Sequence, residues 1–145
     1  MANLYLTLEG FKRVGGLTGS DKDSVILDCI AAASREIDRL TTRRFIPITA
    51  TRRYPWPQRD GRVAVLYLDE DLISVSSLTK EGDDVVAIAA ADYFLEPGNY
   101  GPPYDRIEID LASTTYYAAK DTHQRAIRVT GSWGYGNDTK AAGAL

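Results

Sequence analysis

Up to Leu40 the apolar residues of this chain recur at helical spacing. Beyond Arg44 they alternate one by one, and Pro47, Pro55 and Pro57 stand at the change. Proline has no amide proton and clashes with the turn before it, so no single helix crosses this point. On the first side the spacing predicts a helix over 20–40. Placed at 100° per residue, Ile26, Cys29, Ile30, Ala33, Ile37 and Leu40 fall within an arc of roughly 100°. Asp28, Arg35, Asp38 and Arg39 lie opposite. Ser20 followed by Asp23 reads as a capping-box-like start, and Asp21 and Asp23 suit the positive end of the helix dipole. A shorter helix is expected over 7–14, capped by Thr7 and stopped at Gly15-Gly16. Gly10 weakens it, so it depends on packing.

On the second side, strands are expected over 51–56, 63–68, 73–79, 85–89, 93–96, 106–111 and 126–133. The alternation is clearest in Ile107-Glu108-Ile109-Asp110-Leu111 and Ala126-Ile127-Arg128-Val129-Thr130. Arg59-Asp60-Gly61, Glu81-Gly82-Asp83-Asp84 and the Pro97–Pro103 stretch carry turn chemistry between them. Helices first and strands second is the α+β order: an N-terminal helical pair followed by a small antiparallel barrel or sandwich. A chain of 145 residues buries roughly 68% of its unfolded surface, enough for one core. Residues 1–45 form the helical segment, 46–136 the β-rich segment packed with it as one compact unit, and 137–145 a tail. Asn137-Asp138-Thr139 offers N-caps and only six residues follow, so the tail is frayed or begins a C-terminal helix that is missing from this chain.

The net charge of −3 hides a segregation. From Arg35 to Arg62 eight arginines face three acids, a balance of +5; from Asp69 to Asp110 eleven acids face Lys80 and Arg106, a balance of −9. Every cation of the basic block is arginine, whose planar fork suits carboxylate and phosphate. Three readings are open: nucleic-acid contact, a head-to-tail interface between copies, and internal ion pairs with solvated faces.

The residue inventory excludes much chemistry. One cysteine, Cys29, permits no internal disulfide and no multi-cysteine metal site. One histidine, His123, leaves a small hydrolase as the only enzyme reading, and no serine stands in a Gly-x-Ser-x-Gly setting. Cys29, on the apolar helical face, is expected to behave as a small buried hydrophobe. Gly131-Ser-Trp-Gly-Tyr-Gly136 lacks the Gly-Lys-Ser/Thr of a phosphate loop. Asp69-Glu70-Asp71 lacks the alternation of a calcium loop and reads as an acidic turn between two strands. No apolar run approaches the ~20 residues of a membrane helix, and no basic then apolar leader opens the chain. The expectation is an intracellular, soluble protein that is not an enzyme, needs no cofactor or metal and has no membrane partner. Arg52-Arg53-Tyr54-Pro55-Trp56 mixes cations with aromatics, as single-strand-binding surfaces do. Strand alternation puts Arg53 opposite Arg52, Tyr54 and Trp56, which equally fits an arginine lying over packed aromatics.

Several phrases, in order, resemble the head–tail connector (adaptor) proteins of tailed bacteriophages. They are Leu6-Thr-Leu-Glu-Gly10, the run from Asp23 that ends Ile37-Asp-Arg-Leu-Thr-Thr-Arg-Arg-Phe45, Leu68-Asp-Glu-Asp-Leu-Ile-Ser-Val75, Asp92-Tyr-Phe-Leu-Glu-Pro97 and Ala126-Ile-Arg-Val-Thr-Gly-Ser-Trp-Gly-Tyr135. The resemblance spans most of the chain. It implies a virion structural protein of the neck, assembled in the host cytoplasm, that forms a homo-oligomeric ring, usually twelvefold, beneath the portal protein. Such a ring extends the channel for double-stranded DNA and docks stopper or tail-completion proteins. It also implies a helical bundle elaborated by a β-domain, here 46–136. The C-terminal helices that often grip the portal have no counterpart before the chain stops. Arg35, Arg39, Arg43, Arg44, Arg52 and Arg53 are the candidate subunit-, portal- or DNA-facing residues, with Asp69, Glu70, Asp71, Asp83 and Asp84 as the acidic counter-face. The alternative is a nucleic-acid-binding β-barrel module using Arg52, Arg53, Tyr54 and Trp56.

Overall fold

A computed structural model describes residues 4–57, 64–80, 86–117 and 123–136. Two helices, α1 (Leu8–Gly15) and α2 (Asp23–Thr41), precede one antiparallel sheet. The first helix forms as its sequence dictates. The Thr7 hydroxyl accepts from the Gly10 amide at 3.0 Å, and Gly16, at φ 63°, closes the C-terminus in the left-handed conformation that glycine adopts without strain. The second helix starts later than the Ser20–Asp23 capping box predicts. Lys22 holds the N-cap position without a side-chain bond, since an ammonium has no acceptor to offer, and the Asp23 carboxylate is taken by Lys12 Nζ at 2.7 Å. That tertiary pair ties α1 to α2.

Between the helices Ile30 and Ser34 are buried. Ser34 Oγ donates to the Ile30 carbonyl and accepts from the Tyr5 amide. With only eight residues, α1 covers one edge of the apolar arc. Cys29, Ala33, Ile37 and Leu40 are left exposed, so the expectation that Cys29 is buried fails.

The strands are β1 (Ile48–Tyr54), β2 (Val65–Lys80), β3 (Val86–Ile88), β4 (Tyr93–Glu96), β5 (Tyr104–Ile109) and β6 (Ile127–Trp133), in spatial order β1-β6-β2-β5-β4 with β3 on β2. They make one open six-stranded sheet; it is neither closed into a barrel nor split into a sandwich. The two strands expected over 63–68 and 73–79 are a single one, and Asp69-Glu70-Asp71 lies inside it, not in a turn. Between Tyr67 and Leu72 five steps along β2 stand against two along β5, from Arg106 to Tyr104. One further residue is inserted against β6 on each side of the Ser74-Val75 pair. Such bulges bend a strand and shift its parity. The core-facing residues therefore run Leu72, Val75, Leu78, opposite Trp133, Gly131 and Val129, at a spacing of three.

The bend folds the first half of β2 across the inner face of β1 and β6. By register Arg52 lies level with Val129 and Leu78, yet its guanidinium reaches Glu70, eight residues earlier in β2. The two strands meet there through side chains where a closed barrel would have a backbone ladder. Inside the curl lies the core: Leu66, Leu72, Leu78, Ile107, Ile127, Val129 and Trp133, all nearly inaccessible. Trp133 Nε1 donates to the Ala50 carbonyl at 2.9 Å, so its one polar atom is satisfied. Every member of this core cluster comes from residues 54–133; the helical pair contributes none. On the outer face three cross-strand rows run Thr49–Ser132–Ser74, Thr51–Thr130–Ser77 and Arg53–Arg128–Thr79.

Candidate assembly interface

Two clusters gather most of the candidate residues. The first bridges β1 and β2. Arg52 Nη2 lies 2.7 Å from Glu70 Oε2, and its guanidinium sits 5.8 Å from the centre of the Trp133 ring. Tyr54 Oη donates to Asp69 Oδ1 at 2.6 Å. Burial first, and then donation to Asp69, pushes the Tyr54 hydroxyl far above the ordinary phenol range. Tyr54 is buried against Trp133, and Trp56 packs on the same core. The aromatic faces that a single-stranded nucleic acid would stack on are therefore occupied by the protein itself. Arg53 points to the other face, as alternation requires.

The second cluster joins α2 to the sheet. Tyr5 Oη donates to Asp38 Oδ1 and accepts from the Phe45 amide. Burial, and next the bond to Asp38, raise its pKa. The Phe45 ring stands edge-on to both Tyr5 and Tyr135, with centroids 5.8 and 5.5 Å away. Arg43 lies over the Tyr135 ring at 4.6 Å and reaches Asp71 at 3.8 Å. Gly134 donates to the Asp71 carbonyl, and Tyr135 to that of Arg44. A Cβ on Gly134 would stand 3.2 Å from both Arg44 O and Pro47 Cα, and its φ of 148° favours glycine as well. The joint thus needs this glycine both for closeness and for backbone conformation. A pocket of about 210 Å³ opens here, lined by Asp38, Thr42, Arg43, Arg44, Glu70, Asp71 and Gly134.

On the exposed side of α2, Arg35 pairs with Asp38 at 3.2 Å and Arg39 with Glu36 at 2.6 Å. The Arg39 bond lowers the Glu36 pKa and raises that of Arg39. Among the described residues the Arg44 side chain has no ion-pair partner. The basic and acidic blocks therefore meet within one chain at Arg43–Asp71 and Arg52–Glu70, while Asp69 accepts from Tyr54. Asp83 and Asp84, like the 137–145 tail and the turns at 59–61 and 81–84, lie outside the described residues.

Sequence reasoning missed Tyr5, Phe45 and Tyr135 as the joint. Their contacts span 40 and 90 positions and leave no local pattern. It also missed the outer face of β4 and β5, where Arg106 binds Glu108 at 2.7 Å and Asp105 at 2.9 Å beside exposed Phe94 and Tyr67.

Among the described residues no group of three or more His, Cys, Asp or Glu is placed to hold a metal ion. No described helix is long and apolar enough to cross a membrane. His123 is exposed, and its carbonyl accepts from the Trp56 amide. Comparisons with protein families, curated proteins and solved structures find no match to this chain.

Proposed function

We propose that this chain is a head–tail connector subunit of a tailed bacteriophage: a structural protein that forms a ring, usually twelvefold, beneath the portal. In this reading the ring lengthens the channel for double-stranded DNA, receives a stopper or tail-completion protein at the virion neck, and performs no catalysis. The observation that carries the reading is the uncovered apolar stripe of α2 on a helical pair set beside a sheet with its own complete core. A surface of that kind belongs to a subunit finished by its neighbours. The ordered phrases that resemble the connector family supply the kind of assembly. The nucleic-acid-module alternative loses its support with Tyr54 buried and Arg52 engaged by Glu70.

Electron microscopy of purified particles, with an antibody against this chain, tests the proposal. Label at the junction of head and tail is the expected result. Label spread over the capsid or confined to the tail tip overturns it.

A further inference from the structure

We infer that copies of this chain join head to tail, the apolar stripe of α2 from one copy packing on the outer face of β4, β5 and the first half of β2 of the next. This rests on the ring-subunit reading and names the two faces that meet.

One face is apolar with a basic end. Val25 is 61% exposed, Leu40 67% and Ile37 42%, and Val14 of α1 is exposed as well. The Glu36–Arg39 pair interrupts this stripe. Arg35, Arg39 and Arg43 are each matched by an acid of the same chain, Asp38, Glu36 and Asp71, so among the described residues Arg44 is the cation left over at this end. Just past the end of α2 stands Arg44, without an ion-pair partner among the described residues.

The other face is aromatic and acidic. Leu66, Ile107 and Leu95 turn to the core, so the register places Tyr67, Arg106 and Glu96 in one outward row and Val65, Glu108 and Phe94 in the next. Tyr67 is 59% exposed and Phe94 55%. Glu96, Glu108 and, at the margin, Asp105 outnumber Arg106 by two. Exposed aromatics around an arginine are the usual make-up of an interface centre. The acidic excess on the sheet face and the unmatched Arg44 at the end of the stripe set the polarity. The stripe avoids a second stripe and the sheet face avoids a second sheet face, while each suits the other. Two different surfaces in contact make a heterologous joint, which closes into a ring where the rotation permits.

Sedimentation of the full chain and of two variants tests the joint. Leu40→Asp puts a negative charge on the apolar stripe; Phe94→Lys puts a positive charge on the acidic face. Both positions are exposed, so circular dichroism and the thermal midpoint stay those of the natural chain. The natural chain is expected to self-associate below about 1 mM, and each variant alone at least tenfold more weakly. A 1:1 mixture of the two variants regains association, since one brings an intact sheet face and the other an intact stripe. A natural chain that stays monomeric at ~1 mM overturns the inference. So does association untouched by either variant, or lost with Leu40→Asp but not with Phe94→Lys, the pattern of stripe pairing with stripe. Association that survives both variants leaves the ring reading standing. Particles without this chain at the neck remove the ring reading and leave the joint.

Discussion

Single side chains decide how tightly this sheet is built. Gly131 sits where β6 crosses the β2 bulges, and a Cβ there would lie 2.0 Å from the Ser74 carbonyl oxygen, a backbone atom that cannot swing aside. Gly131→Ala is expected to cost about 3 kcal/mol or more, read as a fall in the denaturant midpoint; an unchanged midpoint contradicts the packing described. Tyr54 and Tyr117 carry hydroxyls whose pKa burial raises far above the ordinary phenol value. The neutral form is thus favoured in the folded state. The stability this confers is whole below about pH 10 and is lost as pH rises beyond it. Absorbance at 295 nm should show Tyr54 and Tyr117 ionising only as near-ultraviolet dichroism collapses. Ionisation of both in an intact fold would refute this.

At the scale of elements, the helical pair hangs on the Tyr5–Asp38–Phe45 bonds and the Arg43–Tyr135 contact, while the sheet holds itself. Tyr5→Phe removes both bonds of that hydroxyl and leaves the Phe45 amide without its acceptor. It is expected to loosen the pair by about 1–2 kcal/mol: amide exchange within 8–41 quickens and that of β6 does not. Equal acceleration in both would show the two parts to be one cooperative unit. The same division explains what could be read in advance. The Thr7 cap, the Gly16 stop and the alternation of β6 are local, and the sequence reveals them. The true start of α2 is hidden, because Asp23 serves a partner eleven residues away. The unity of β2 is hidden too, because its bulges move the core residues to a spacing of three, which breaks the alternation that announces a strand. In the candidate interface the alternation of Arg52 and Arg53 was legible. The charge partner of Arg52 was not, since only the bend in β2 brings Glu70 beneath β1.

For the whole molecule, the opposed charge blocks turn out to be partly an internal fastening, through Arg43–Asp71 and Arg52–Glu70. Since the core cluster draws on residues 54–133 alone, the segment 46–136 expressed by itself should keep buried-tryptophan fluorescence and a cooperative melt. An exposed-tryptophan emission maximum would instead make the helices necessary to the fold. The spatial order of the strands has a consequence for how the protein comes into being. β6 is the last of the described strands, yet it lies between β1 and β2, and Thr51 meets Thr130 across 79 positions. On the ribosome, β1 waits until β6, its neighbour among the described strands, emerges, with Tyr54 and a bare strand edge open to wrong partners meanwhile. Slow synthesis lengthens that vulnerable interval, and a stop codon anywhere before Trp133 leaves two halves of a sheet with nothing to join them.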